Sequence, residues 1–585
     1  MNRILPVLGL AWVALCLPHP AVAQAFDPHP VFGPNALAKS HPGWDFSDLL
    51  GDNPAALGAG FSAHIGGMAF LPDGRLAVAD FPAPEAQPWK GGVWLLEGVL
   101  TGDEAQVKAR LFAGNLYGPT GLAVVNGDVY VIDGNSLKKL TDKDGNGTAE
   151  VADITHSWHQ NGGQPAVADL TYHDGYFFSA IGSSGGVAVD GASIAGGTAK
   201  IGMDGKVQQL CTGFRNTGGG GVNSKGEIFA TDNQGEWVPS SKLIHVVPGR
   251  YYGFGGLTRN GVAASPPAVW IPEGTVSPPG GNASTWAVGL SPSTVLPIDS
   301  GAFAGQLLMG DIRYGNVDRI FLEKVQGEYQ GALFHFSGGF RAGIYRMAWG
   351  PDGALYLGGL GGNFYTWSWK DNNLEDDWGL YRLKRNAKSV FEMAAVRAKA
   401  GGFEIEFTLP AKAGLAAGDF KVQTWRYAAT GNYGGPQLDV KPHTVKSLQP
   451  SADRTRLFLE IPGLEEGRVV HFELDSNAVT AAAGGKPWTA EAWYTLNKLS
   501  TEAPTVAIPE ILPFAGKAQV WPAAGGHIAF SALADGVYRI RDAAGRQRES
   551  GPARAGGVSH SNLALRPGLY FVALPGQAPV HVILY

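Results

Sequence analysis

Short apolar runs, each broken by a turn of polar residues and glycine, recur through the first two-thirds of the chain. They read "FLPDGRLAVAD" (70–80), "VVNGDVYVID" (124–133), "TYHDGYFFSAIG" (171–182), "VNSKGEIFATDN" (222–233) and "WGPDGALYLGG" (349–359). Two runs rich in β-branched, aromatic and aliphatic residues, joined by such a turn, predict a β-hairpin. The turn glycines Gly74, Gly127, Gly175 and Gly226 follow one another at about fifty residues, near the period of a four-stranded propeller blade. The wider gap before Gly353 holds a degenerate unit, "FAGQLLMGDIRYGNVDRIFL" (303–322). Six units predict a six-bladed β-propeller over residues 26–388, the regular period favouring radial repetition over a series of sandwiches.

The texture changes after "GLYRLKRNAKSV" (379–390). From "GGFEIEFTLPAKAG" (401–414) to "EAWYTLNKLS" (491–500) an alternating pattern predicts a compact antiparallel, Ig-like sandwich over 389–500. "TEAPTVAIPEILP" (501–513) reads as a linker, and "DGVYRIRDAAGR" (535–546) with "RPGLYFVALPG" (566–576) as a small β module ending the chain. The expected fold class is all-β: a six-bladed propeller followed by two small β-sandwich-like modules.

Composition supports this reading. Charged residues are 16% of the 585 and glycines number 84, which suits short strands and turns better than helices. A formal net charge of −6 supplies no concentrated basic face for nucleic acid. Arg3, the apolar run Ile4 to Leu17, and a small-x-small site at Ala21-Val22-Ala23 or Ala23-Gln24-Ala25 predict a signal peptide over residues 1–25. No later segment reads as a transmembrane span, so an exported, periplasmic, surface or extracellular location is expected. Cys16 lies in the signal, which leaves Cys211 unpartnered and predicts a buried small hydrophobe.

One stretch concentrates candidate chemistry. "GFRNTGGGGVNSKGEIFATDNQGEW" (213–237) sets Arg215-Asn216 beside four glycines, then a strand, then Gln234-Gly235-Glu236, with Tyr252-Gly253 further on. With "LLMGDIRYGNVDRIFL" (307–322), it resembles the soluble quinoprotein glucose, sorbosone and aldose dehydrogenases over roughly residues 60–385. The resemblance implies a six-bladed propeller holding pyrroloquinoline quinone (PQQ) and calcium in its central well. It implies that Arg215, Asn216, Gln234 and Arg313 hold the cofactor, and that Gly235 and Glu236 offer carbonyl oxygens to calcium. Guanidinium groups suit a planar tricarboxylate quinone through bidentate, charge-assisted bonds. Arg215 and Asn216 are expected to face the channel, the glycines letting backbone crowd it.

This chain departs from that pattern at three places. The histidine base falls on Gln164 by strict counting, and on His159 only with a short insertion. The two arginines that the resemblance implies to hold the cofactor before the last "PDG" appear at a different spacing, as Arg341 and Arg346. The acidic pair completing the calcium site is replaced by Ser241-Lys242. The phrases "TDNQGEWVPSSKLIHVVPGRYYG" (231–253), "RMAWGPDGALYLGG" (346–359) and "FEMAAVRAKAGGFEIEFT" (391–408) are also similar to exported "membrane-bound dehydrogenase" propellers of environmental bacteria. The chain has no Cys-x-x-Cys-His, so electrons would leave to a separate acceptor.

Other signals lie outside that stretch. In "DKDGNGTAEVAD" (142–153), Asp142, Asp144, Asn146 and Asp153 stand at the spacing of a calcium loop, although strand-like flanks also suit a solvated acidic turn. "GSSGG" (182–186) matches the nucleophile-elbow pattern without a readable strand–turn–helix, so a serine hydrolase is not expected. Three functions follow. The first is oxidation of a sugar or alcohol, with His159 as base and Arg215 and Asn216 at the reacting centre. The second is a binding propeller that recognises a glycan or polymer with Trp158, Trp237, Trp286, Trp367 and Trp369 as stacking faces. The third is a lactonase-like metal hydrolase. The end of the chain, with Gly568-Leu569-Tyr570, resembles C-terminal sorting modules of Gram-negative bacteria, and reads equally as a plain β-sandwich.

Overall fold

Asn126 and Gly127 both adopt positive φ (53° and 88°), as do Asp174 and Gly175 (48° and 81°). These are type I′ turns, whose twist matches that of the flanking strands. In the computed structural model, which describes residues 40–51, 54–81, 90–134, 136–155, 159–160, 169–189, 192–272, 288–360, 378–506, 519–523, 527–532, 534–554, 558–563, 565–566, 568–575 and 580–584, these two and four other turns bearing a positive-φ glycine open six antiparallel sheets. The expected signal peptide, Trp158, Gln164, Trp286, Trp367 and Trp369 lie outside the described residues, as does the side chain of His159.

Each sheet is one blade. The inner strands are Ile65–Phe70, Thr120–Val125, Thr171–His173, Gly220–Val222, Pro292–Pro297 and Ile344–Trp349. Each pairs with the strand that follows its turn, and the sheets of blades 1, 2, 4 and 5 then proceed outward in chain order. Blade 6 differs: its outermost strand is Trp44–Asp48, from the other end of the domain, paired with Trp378–Arg385 (Trp44 against Arg385, Asp48 against Tyr381). This pairing closes the ring and leaves the first and last blades without a free edge between them.

The four glycines at 218–221 mark a close contact between blades. A Cβ on Gly218 would stand 2.1 Å from the Pro292 carbonyl oxygen, and one on Gly221 1.9 Å from that of Val295. The inner strands of blades 4 and 5 therefore touch backbone to backbone, which only glycine permits.

The predicted sandwich is present and is joined to the propeller by a continuous sheet. Strand Glu491–Leu496 pairs with the outer strand of blade 5, Glu328–Ser337, Ala332 standing opposite Tyr494. Through it, Arg468–Leu474, Phe420–Arg426 and Leu438–His443 extend blade 5 to eight strands. Met393–Lys399, Gly402–Phe407, Arg456–Glu460 and Ser447–Pro450 form the facing sheet. Phe321 and Phe334 of blade 5 share one buried core with Phe403, Ile405, Phe472 and Tyr494 of the sandwich. Burial of that common apolar surface holds the two modules together. Residues just past the sandwich also belong to it: Thr505 donates to both oxygens of Glu404, and Lys399 pairs with Glu502 at 2.8 Å.

A separate compact unit covers residues 507–585. Its described strands form a three-stranded sheet (Gln519–Ala523, His527–Ser531, Val558–His560) and a four-stranded one (Gly536–Asp542, Gln547–Ala553, Gly568–Ala573, Val580–Leu584). Phe530, Tyr538, Ile540, Tyr570 and Val572 fill its core. Among the described residues no helix is long and apolar enough to cross a membrane.

Candidate functional site at the channel mouth

Each inner strand leads into its turn, so the turns gather at one end of the central channel. The residues leading into the inner strands and those ending the second strands gather at the other end, the mouth. A cavity of about 340 Å³ lies on the axis, lined by residues from all six inner strands, among them Met68, Leu122, Tyr172, Val222, Leu296 and Arg346.

The mouth is organised by a repeated carboxylate that sequence reading passed over. In blades 1, 2, 4 and 5 the second strand ends in Asp80, Asp133, Asp232 and Asp311. Each carboxylate accepts backbone N–H groups from the segment entering a neighbouring inner strand. Asp80 takes Ser62 (2.8 Å) and His64 (3.1 Å), and Asp311 takes Leu290 and Ser291 (both 2.7 Å). Blade 3 places its acid on the other side, where Asp169 accepts the Ala180 N–H at 2.8 Å. Burial pushes Asp80, Asp169 and Asp311 up to about 6, opposed by these hydrogen bonds. The signal was present in "AVAD", "VID", "ATD" and "MGD", at one offset after each turn glycine.

Asp232 explains the Arg215-Asn216 pair. It is fully buried and accepts the backbone N–H of Arg215 (3.0 Å) and of Asn216 (2.8 Å), with the buried Lys242 ammonium 3.6 Å away. The Arg215 guanidinium turns back along its own blade, which corrects the expectation that it faces the channel. Its Nε donates to Glu236 at 2.9 Å and its Nη1 to the Gln234 carbonyl at 2.9 Å. Gly235 is glycine because that guanidinium lies over it: a Cβ would stand 1.8 Å from Arg215 Nε. Asn216 is half-buried and its side chain makes no hydrogen bond to the described residues. Asn233 donates to Ser291 Oγ at 3.1 Å, linking blades 4 and 5.

Of the two carbonyl oxygens expected to ligate calcium, that of Gly235 is already taken. The Gly235 carbonyl accepts N–H groups from Val238 (3.0 Å) and Gly434 (3.1 Å), which use both of its lone pairs. The Glu236 carboxylate holds Arg215, whose hydrogen bond keeps it below the usual carboxylate range. Lys242 brings a positive charge where the resemblance implied acids. It donates to the Tyr252 carbonyl at 2.7 Å, and burial lowers its pKa against the attraction of Asp232.

The second expected calcium loop is a turn held by its own hydrogen bonds. Asp142 accepts the Gly147 N–H (2.8 Å) and Asp144 binds Asn146, while Asp153 belongs to the strand Glu150–Asp153 and pairs with Lys138. The acids serve a hydrogen-bonded turn, and no group of three or more His, Cys, Asp or Glu able to hold a metal occurs among the described residues.

The other arginines divide. Arg313 and Arg341 are half-buried at the mouth of blades 5 and 6, and the charge of Arg313 favours the ionised form of Asp311. Arg346 is buried on the channel axis. It donates to the carbonyls of Gly66 (2.7 Å) and Gly218 (3.0 Å), tying blade 6 to blades 1 and 4, and stacks on Tyr345 at 3.5 Å. Two of its nitrogens, Nε and Nη1, are thus spent on backbone beneath the mouth. The backbone of His159 pairs with Gly186 on the long hairpin of blade 3. One histidine at the mouth went unnoticed in the sequence. His64 meets Ser62 Oγ at 2.9 Å, and that hydroxyl donates to Asp80 at 2.7 Å. Its signal is a histidine immediately before the first inner strand.

Comparison with known proteins gives a family model described as a domain of unknown function (DUF7133), matching residues 67–256. No curated protein matches the chain. Among solved structures, an oxidoreductase described as a glucose dehydrogenase from Thermus thermophilus is similar at 18% identity, covering 58% of this chain and 100% of its own, with a TM-score of 0.42. The PQQ-bound aldose sugar dehydrogenase of Streptomyces coelicolor is 16% identical, covering 59% of this chain and 99% of its own, with a TM-score of 0.37. A gluconolactonase from Xanthomonas campestris is 12% identical, covering 60% and 93%, with a TM-score of 0.35.

Proposed function

We propose that the protein is an exported dehydrogenase of the quinoprotein type that oxidises a sugar or another alcohol and passes the electrons to a separate acceptor. The observation that carries this reading is the pair of half-buried arginines, Arg313 and Arg341, contributed by consecutive blades to one mouth above Arg346. Arg313 and Arg341 suit the carboxylates of PQQ, which when bound supplies a hydride acceptor. Asn216 offers an amide to substrate or quinone oxygens, and His159 is the proposed proton acceptor. The Gly235 carbonyl is already doubly hydrogen-bonded and the Glu236 carboxylate holds Arg215, so no step is assigned to calcium.

That mismatch favours one second reading, a propeller that binds a glycan without chemistry. The two separate in one assay. Protein incubated with PQQ is offered a panel of aldoses and polyols with a dye acceptor. Substrate-dependent dye reduction that His159→Ala abolishes supports the dehydrogenase. Absence of turnover with every substrate supports the binding propeller.

A further inference from the structure

The sandwich sends one loop back onto the propeller mouth. Residues 428–436, "AATGNYGGP", join two strands of the sandwich and dock along the Gln234–Pro239 turn of blade 4. Trp237 N–H donates to the Thr430 carbonyl at 2.6 Å, Gly434 N–H to Gly235 at 3.1 Å and Gly435 N–H to Pro239 at 2.8 Å. Glu236 and Tyr433 form an antiparallel bridge. Trp237 is held at a φ of 63°, a left-handed conformation rare for a bulky residue, and Gly431 lies against its indole.

The docked loop leaves a particular set of groups in solvent. Tyr433 is 59% exposed, although its ring sits on the Arg215 guanidinium at 4.9 Å. The Glu236 side chain is 48% exposed, and only one of its oxygens is taken by Arg215. Asn432 beside them is exposed, and Trp237 is half-buried. An amphipathic ring flanked by an ionised carboxylate and an amide matches the chemistry of a sugar, whose C–H face packs on an aromatic ring while vicinal hydroxyls bond to paired acceptors and donors.

We propose that Tyr433, Asn432 and Glu236 form a sugar-binding subsite at the seam between sandwich and propeller, so that the appended domain selects the substrate presented to the mouth. This rests on the reading of the mouth as a sugar site, and assigns its outer part to an oligosaccharide rather than to a single ring. Arg215 acts here as a positioning residue, holding Glu236 and backing the Tyr433 ring.

Isothermal titration of the full chain with cello-, xylo-, manno- and laminari-tetraose tests the subsite, alongside titration with PQQ. Tyr433→Ala should weaken the best-bound tetraose about tenfold, leave PQQ affinity unchanged, and keep the thermal transition of the wild type. Tyr433→Phe should restore most of the affinity, and Glu236→Gln should weaken it. Wild-type tetraose affinity in Tyr433→Ala would overturn the subsite and leave the dehydrogenase reading standing. An equal loss of PQQ and tetraose would overturn it too, assigning Tyr433 to the cofactor. Failure of the wild type to bind any of the four sugars would overturn the subsite, whereas the dehydrogenase reading falls only if no aldose or polyol supports dye reduction.

Discussion

Replacing Asp232 by alanine removes a carboxylate that serves three partners at once. Two are the backbone N–H groups of Arg215 and Asn216, and the third is the Lys242 ammonium, only 4% exposed and 3.6 Å away. Removing one partner of a buried ion pair costs about 3–5 kcal/mol, because the other charge stays buried without compensation. Each orphaned N–H adds about 1–3 kcal/mol where water cannot reach it. Lys242 keeps its bond to the Tyr252 carbonyl, which offsets part of the loss. The expected destabilisation is about 4 kcal/mol for Asp232→Ala, and roughly half that for Asp232→Asn, which retains one acceptor oxygen. Urea unfolding followed by tryptophan fluorescence measures both. Adding Lys242→Met to Asp232→Ala should recover about 2 kcal/mol, since the double variant buries no lone charge. A loss below about 1 kcal/mol for Asp232→Ala, or strict additivity in the double variant, would refute the role given to this carboxylate.

Asp311 has its folded-state pKa raised from 3.8 to about 6. Its contribution to stability is therefore whole below the unfolded value and is lost as pH rises through about 6. Asp311→Asn removes that dependence. The wild type's advantage over the variant should be larger near pH 4.5 than near pH 7.5, and an advantage that grows with pH contradicts the assignment. Gly221→Ala, which drives a Cβ into the Val295 carbonyl, should cost about 3 kcal/mol or more. Gly127→Ala, with open space around its turn, should cost only about 1 kcal/mol for its φ of 88°; equal costs in thermal unfolding would contradict the strand contact. Truncation after Val506 should leave the propeller and sandwich transition intact, because residues 507–585 form their own unit. If the terminal unit is a sorting module, the truncated protein should accumulate in the periplasm of its host while the full chain moves outward, and identical fractionation would exclude sorting.

The blades were legible because each turn needs a glycine with positive φ, and Gly74, Gly127, Gly175, Gly226 and Gly353 all have it. The closing strand Trp44–Asp48 was not, since "WDFSD" carries no turn and its partner lies more than three hundred residues away. Local patterning also separates the sandwich from blade 5, whereas the structure joins them through Ala332 opposite Tyr494. At the mouth, sequence located Arg215 and Glu236 but not their pairing with each other, which depends on the chain doubling back over Gly235. Tyr433 was beyond reach altogether: nothing in "TGNYGGP" says that it docks on a blade some two hundred residues earlier.

On the proposed function, Arg313 and Arg341 hold an anionic quinone at the mouth, with no calcium ligand assigned. Titration of the full chain with PQQ in the presence of EDTA, read by quenching of tryptophan fluorescence, tests it most directly. Saturable binding in the micromolar range is expected, weakened about tenfold or more when Arg313 and Arg341 are both replaced by alanine. Absence of saturable binding, binding that appears only on addition of calcium, or an unchanged affinity in the double variant would contradict it.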